Sequence, residues 1–204
     1  MQTRLIPADQ PEAIPAAIQA LKRGELVAFP TDTVYGVGAL VHDTDSIAQL
    51  YQVKERGAEK AIPVLLGDPG DLAQVALEVG SLALRLAGRF WPGALTLVVP
   101  RHPALPEIIS PYPTIGVRMP DHPVALRLLR AAGPLAVTSA NLSGARSATT
   151  AEEVMSQLAG RIALILDGGR TPGGQPSTVV DCTGPDPEIL RPGPVTLEQI
   201  LAVL

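Results

Sequence analysis

The sequence predicts an α/β fold, and three observations carry that prediction. Short apolar runs alternate with amphipathic segments from one end of the chain to the other, the pattern of strands and helices mixed in one layered structure. The apolar runs are nearly continuous, as expected of strands covered on both faces. No internal repeat, low-complexity stretch or linker interrupts the 204 residues. The chain therefore reads as a single domain over 1–204, with its core between about residues 10 and 195.

The elements follow in order. Asp9-Gln10-Pro11 reads as a helix start, since proline is tolerated in a first turn. Ile14, Ala17, Ile18 and Leu21 recur at helical spacing, and Gly24 fits the stop. Leu26 to Phe29 is a short apolar run closed by Pro30, a buried strand, and Thr31 to Gly38 is a loop rich in hydroxyls and glycine. A helix starts at Asp45 or Ser46 and runs through Ile47, Leu50 and Tyr51, with Lys54 to Lys60 following as a charged loop. Ile62 to Leu66 is a strand with Pro63 near its beginning or on an edge. Asp71 to Val79 and Ser81 to Phe90 are helices, Leu95 to Val99 is a strand after the Trp91-Pro92-Gly93 turn, and the proline-rich stretch 101–113 is loop. Thr114 to Arg118 is a strand, His122 to Ala132 a helix and Leu135 to Thr138 a strand. A polar stretch, Ser139 to Thr150, leads to a helix over Ala151 to Leu158 and a strand over Ala163 to Leu166. A glycine-rich loop, Asp167 to Pro176, precedes strands at Ser177 to Cys182 and Glu188 to Arg191, and Thr196 to Leu204 is a closing helix.

Composition narrows the function. Hydrophobic residues make up 46% of the chain and charged residues 18%, which supports a sizeable core and argues against disorder. Aromatics are 3%, so the core is built from Ala, Leu, Ile and Val and there is little material for base stacking. The net charge of −4 argues against constitutive nucleic-acid binding, which needs a basic surface to displace counterions. The single Cys182 excludes an internal disulfide and a multi-cysteine zinc site, and its apolar run makes it inert packing. Met1 to Gly24 carries Asp9 and Glu12 and no long apolar run, so no signal peptide is expected. No segment reaches the roughly 20 apolar residues of a membrane span, and a soluble, cytoplasmic protein is expected.

Polar loops follow apolar strands at four places: Thr31 to Thr33, Lys54 to Lys60, Ser139 to Ser147 and Asp167 to Ser177. Ligands of open α/β sheets collect at the carboxyl ends of strands. Lys54, Arg56 and Lys60 place two of the three lysines beside an Arg. They suit a polyanion, or a solvated loop neutralised by Glu55 and Glu59. Ser139, Asn141, Ser143 and Ser147 suit phosphate oxygens, or a cap or turn. Arg118 ends an apolar strand and needs a partner, either a substrate carboxylate or a structural Asp such as Asp121. Asp32 suits a magnesium ion or a turn. No Walker-type or Rossmann glycine pattern and no Gly-x-Ser-x-Gly elbow is present. His42, His102 and His122 lack metal-ligand spacing.

Seven segments occur in a recognisable order: Pro30-Thr31-Asp32-Thr33-Val34-Tyr35-Gly36, Lys54-x-Arg56, Trp91-Pro92-Gly93-Ala94-Leu95-Thr96, Val117-Arg118-Met119-Pro120, Ser139-Ala140-Asn141, Ser177-Thr178-Val179 and Arg191-Pro192-Gly193. Together they resemble the YrdC-like threonylcarbamoyl-AMP synthase family, over nearly the whole chain. The resemblance implies a twisted mixed open sheet flanked by helices, with a positive concave cleft. It implies a nucleotidyltransferase that turns L-threonine, bicarbonate and ATP into threonylcarbamoyl-AMP and pyrophosphate, the first step of N6-threonylcarbamoyladenosine-37 modification of tRNA.

It also implies roles. Lys54, Arg56, Ser139 and Asn141 match the signature set around the nucleotide phosphates. Lys60, Thr114, Ser147 and Arg191 match other ATP-contacting positions. Thr33, Arg118 and Ser177 match threonine-contacting positions, with Val137 contributing through its backbone. No protein side chain is expected to be a metal ligand; Mg2+ would come with ATP. A separate threonylcarbamoyl transferase would receive the product, with tRNA bound indirectly or weakly. Two positions depart from the family pattern: Leu65 stands where some relatives carry His, and Gly57 follows Arg56 where relatives often carry Pro. Longer relatives have an added C-terminal domain that this chain is expected to lack. The alternative is an RNA-binding module of the same fold without adenylating activity.

Overall fold

The computed structural model describes residues 2–55, 57 and 59–204. Among the described residues ten strands form one sheet: β1 (Arg4–Pro7), β2 (Val27–Phe29), β3 (Gly36–Leu40), β4 (Val64–Leu65), β5 (Leu95–Pro100), β6 (Thr114–Arg118), β7 (Leu135–Ser139), β8 (Leu164–Asp167), β9 (Thr178–Asp181) and β10 (Glu188–Arg191). Their order is β1-β8-β2-β3-β7-β4-β6-β5-β9-β10. Parallel pairs (β1 with β8, β2 with β8, β4 with β6, β5 with β9) mix with antiparallel ones, so the sheet is mixed.

The helices are α1 (Ala13–Lys22), α2 (Thr44–Lys54), α3 (Leu72–Val75), α4 (Ser81–Phe90), α5 (Pro123–Ala132), α6 (Ala151–Leu158) and α7 (Leu197–Leu201). Strand side chains alternate between faces, and the two faces bury different clusters. Ala28, Val37, Val64, Leu95, Leu97, Val117 and Ala136 pack with α2, α4 and α6 through Ile47, Leu50, Leu86 and Val154. Val27, Phe29, Leu65, Leu135, Val137 and Leu164 pack with α1 and α5 through Ala17, Leu21, Ala125 and Leu128. This second cluster stops at β4. Beyond it, on β6, β5 and β9, the same face carries Gly116, Arg118, Thr96, Val98 and Val179, and these line a cavity instead. Continuous apolar runs mark β2 and β7, whereas β6 alternates, with Thr114, Gly116 and Arg118 on the cavity side and Ile115 and Val117 in the core.

The expected order of elements holds, with local differences. Gly36–Leu40, partly read as loop, is a strand: Gly36 and Gly38 pair with Ser139 and Val137 of β7. A Cβ at Gly36 would stand 2.7 Å from Val137 Cγ1, so this strand uses glycine for close approach and loses the apolar signature of a strand. β1 is an edge strand with Arg4 and Pro7 on it, short and polar enough to escape detection. The helix expected over Asp71 to Val79 is a 3-10 turn, Pro69–Asp71, followed by the four-residue α3. α2 starts shortly before the expected start, capped by Asp43, whose carboxylate accepts from the Ser46 N–H at 3.1 Å. That cap, led by the Ser46 side chain, holds Asp43 below the ordinary carboxylate range.

Candidate active site

Two loops meet over the uncovered half of the sheet. The first runs from Pro30 to Tyr35, between β2 and β3. Thr31 Oγ1 donates to the Val34 carbonyl at 2.6 Å and lies 3.0 Å from Thr33 Oγ1. Thr31 has one hydroxyl hydrogen and spends it on a carbonyl, which cannot donate. The hydrogen between the two threonines is therefore Thr33's. The second loop, Asp167 to Ser177, is pinned to the first by Tyr35, whose hydroxyl donates to the Gly169 carbonyl at 2.8 Å and accepts from the Gly168 N–H at 3.2 Å. Burial pushes the Tyr35 hydroxyl up to about 12, so it stays protonated at any pH the protein meets.

Arg118 sits at the end of β6 with 6% of its surface exposed. Its Nε donates to the Gly93 carbonyl at 2.8 Å, Nη1 to Thr33 Oγ1 at 3.0 Å, and Nη2 to Asp32 Oδ1. The structural partner is thus Asp32, not the Asp121 considered from sequence. Asp121 contributes only its backbone N–H, 3.1 Å from the same Asp32 oxygen. Burial pulls Arg118 down from its ordinary value, and the charge of Asp32 opposes that pull.

Thr33, Val137, Arg118, Ser139, Ser177 and Arg191 all line one cavity of about 280 Å³, with Leu65. This is near the lower end of the roughly 300–1,000 Å³ of ligand pockets. Ser177 Oγ lies 2.8 Å from Thr96 Oγ1. Arg191 donates to the Ser177 carbonyl from Nε at 3.1 Å and from Nη2 at 2.7 Å, with Ser177 Oγ 3.2 Å from Nη2. A Cβ at Gly193 would lie 2.3 Å from the Thr178 nitrogen, so the Arg191-Pro192-Gly193 turn lies directly against the Ser177 backbone.

Lys54 does not lie in a loop. It is the last residue of α2, 1% exposed, and its ammonium donates to the carbonyls of Ser139 and Asn141. The Ser143 N–H returns a bond to the Lys54 carbonyl at 2.8 Å. Both amide hydrogens of Asn141 are spent, on Leu142 and Ala145 carbonyls at 2.8 Å each, while its Oδ1 is buried without a hydrogen-bond partner. Lys54 and Asn141 therefore stand beside the cavity rather than on its wall, and reach it through Ser139.

The other expected residues are more peripheral. Lys60 is exposed, and its carbonyl accepts from Tyr51 Oη at 3.2 Å; its neighbour Ala61 lines the cavity. Thr114 lies two residues before Gly116 on the same face of β6. Ser147 is half-buried, beside Ala148, whose carbonyl accepts from the Tyr35 N–H at 2.9 Å. Arg56 lies outside the described residues. Asp32 and Thr96 carry no expected substrate contact, yet both help build the site. Thr96 had a readable signal: a hydroxyl between Leu95 and Leu97 must face away from the core. Among the described residues no group of three or more His, Cys, Asp or Glu could hold a metal ion.

A mixed sheet with one half-face bare, holding a buried Arg–Asp pair, hydroxyls and an anchored Lys, defines an α/β protein with a small cavity lined by charged and hydroxyl side chains. The Sua5/YciO/YrdC family model, described as "Telomere recombination", matches residues 19–193, and the chain belongs to that family. A threonylcarbamoyl-AMP synthase of Bacillus subtilis is 46% identical over 194 residues, which are 94% of this chain and 56% of that protein. A putative threonylcarbamoyl-AMP synthase of Mycobacterium tuberculosis is 43% identical, with 97% of this chain and 92% of that protein aligned. The crystal structure of Pyrococcus abyssi Sua5 complexed with L-threonine superposes with a TM-score of 0.95 at 40% identity, covering 99% of this chain and 61% of that one. The chain thus spans a little over half the length of the Bacillus relative, three-fifths of the Pyrococcus one and nine-tenths of the Mycobacterium one.

Proposed function

We propose that this chain is an L-threonylcarbamoyladenylate synthase, which joins L-threonine, bicarbonate and ATP into threonylcarbamoyl-AMP and pyrophosphate. The observation that carries the reading is the buried Arg118 among Thr33, Ser177 and Thr96, at the wall of a cavity sized for a small metabolite. The relative solved with L-threonine shares this fold at 40% identity.

Arg118 holds the threonine carboxylate. Thr33 spends its hydrogen on Thr31 and accepts from Arg118, so what it has left for a ligand is a lone pair, suited to the amino N–H. The uncharged amine attacks the carbon of bicarbonate or CO2; the N–C bond forms as the amine proton leaves, with the bicarbonate hydroxyl as water or, from CO2, to solvent, and the product is a carbamate anion. A carbamate oxygen then attacks the α-phosphorus of ATP; the new O–P bond forms as the bond to the β-phosphate oxygen breaks and pyrophosphate leaves. An anionic nucleophile needs no protein nucleophile or dedicated base, and catalysis rests on orientation and charge neutralisation. The cavity is small for a whole nucleotide, so ATP extends past Ser139 toward the Lys54–Asn141 anchor, with Lys60, Thr114 and Ser147 along its path; Arg56 is assigned to the phosphates by the family resemblance alone. Arg191 acts first by fixing Ser177. Magnesium would accompany the triphosphate as part of the substrate and supply charge neutralisation for the departing pyrophosphate. The product passes to a transferase that modifies tRNA, in the cytoplasm.

Incubation with ATP, L-threonine and isotopically labelled bicarbonate tests the reading. It predicts a nucleotide product carrying the label and the threonyl group. A product without label, or no product despite bound ATP, rejects it.

A further inference from the structure

We propose that Asp32 is a positioning residue for the substrate carboxylate: it orients Arg118 through its hydrogen bonds, not through its charge. The inference rests on reading the cavity as a threonine pocket. Asp32 itself does not line the cavity. Its side chain is 13% exposed and that of Arg118 7%, so their pairing is shielded from water.

Counting donors shows what this pairing does. A guanidinium has five N–H groups. Three of them are spent, on two segments of chain: Nε on Gly93, and Nη1 and Nη2 on the neighbouring Thr33 and Asp32. Three anchors fix the plane of the group. What remains is one N–H on each terminal nitrogen, which is what the two oxygens of a carboxylate accept. Asp32 is held in turn by the Asp121 N–H, so the anchor on the Nη2 side is itself immobile.

The charge of Asp32 works the other way. The Arg118–Asp32 pair is neutral before a ligand arrives, and a second carboxylate on the same guanidinium meets an existing negative charge. Asparagine at position 32 keeps the oxygen that accepts from Arg118 and from the Asp121 N–H, but drops the opposing charge. Alanine drops both bonds.

The test is calorimetric titration of L-threonine, and separately of ATP, into wild type, D32N and D32A, with thermal melting as a check on folding. D32N is expected to bind threonine as tightly as wild type or more tightly. D32A is expected to bind it at least about tenfold more weakly, as misplacement of a binding group by a fraction of an ångström implies. ATP affinity stays within about twofold in both. Equal weakening of threonine binding in D32N and D32A, or wild-type binding in D32A, overturns the proposal. So does a loss of both ligands together in D32A, which would make Asp32 a support of the fold alone. Should D32A not fold, D32N decides: a tenfold loss of threonine affinity there sinks the idea. Wild type that binds no threonine instead sinks the reading of the pocket.

Discussion

Replacing Arg118 by Met separates the structural work of this residue from its work on a ligand. The substitution leaves the Asp32 carboxylate buried beside an apolar side chain, with only the Asp121 N–H as partner. Removing one member of a buried pair costs ~3–5 kcal/mol. In a chain of this size each kcal/mol moves the melting temperature by about 2–4 °C, so R118M should melt roughly 6–20 °C below wild type. The double variant D32N/R118M removes the stranded charge. It still lacks the bonds to Gly93 and Thr33, worth about 1 kcal/mol each, so it should regain roughly half of the loss. Threonine binding, in contrast, should stay absent in both variants. Thermal melting and threonine calorimetry on the four proteins of this cycle read the two effects apart. A wild-type melting temperature for R118M would mean that the ion pair is not desolvated as described. A double variant that recovers threonine binding along with stability would remove Arg118 from the ligand site.

Gly36→Ala should destabilise by about 1–3 kcal/mol, the usual cost of overpacking, because its Cβ would stand 2.7 Å from Val137 Cγ1. Val137→Ala should relieve the clash, giving a coupling of about 1 kcal/mol or more in urea midpoints; simple additivity would contradict the strand contact. Lys54→Met should cut turnover at least about tenfold, or 1.4 kcal/mol of transition-state binding, while threonine affinity changes little; steady-state kinetics with calorimetry would expose an unaltered rate or a selective threonine defect. His122 caps α5 through Nδ1, which accepts from the Val124 N–H at 3.3 Å, and burial holds it below its ordinary value of 6.5. A depressed histidine takes up protons more readily unfolded than folded, so its contribution is full above pH 6.5 and is lost as pH falls through the lower folded value. H122N, which keeps a capping side chain, should flatten the acid limb of stability; an unchanged limb in urea titrations would contradict this.

Much of the fold was legible because burial repeats. α4, α6, β6 and β10 occupy the expected residues, since their apolar spacing and flanking Gly, Pro and Thr point to the same ends. What escaped detection did so for physical reasons. β3 packs through glycine, which carries no hydrophobic signal. α2 extends to Lys54 because the lysine hydrogen-bonds carbonyls of another segment, and no local pattern announces that a charged residue will be buried. The site followed the same rule. The loops that build it stood out as hydroxyl-rich and glycine-rich stretches, and Arg118 announced a need for a partner. Which partner is a matter of two segments 86 residues apart meeting, and Asp121, three residues along the chain, was the nearer but wrong candidate. The bare half-face was written in β6, where Thr114, Gly116 and Arg118 alternate with the buried Ile115 and Val117, an alternation a covered strand would not need.

One pocket is to bring together an amino acid, a source of carboxyl and a triphosphate for one reaction. Pyrophosphate release, followed with ATP, L-threonine and bicarbonate present and then with each omitted in turn, tests that claim most directly. Release should require all three, and should fall to background when threonine or bicarbonate is left out. Release that continues at the full rate from ATP alone would mean that the cavity around Arg118 is not where an amino acid enters the chemistry.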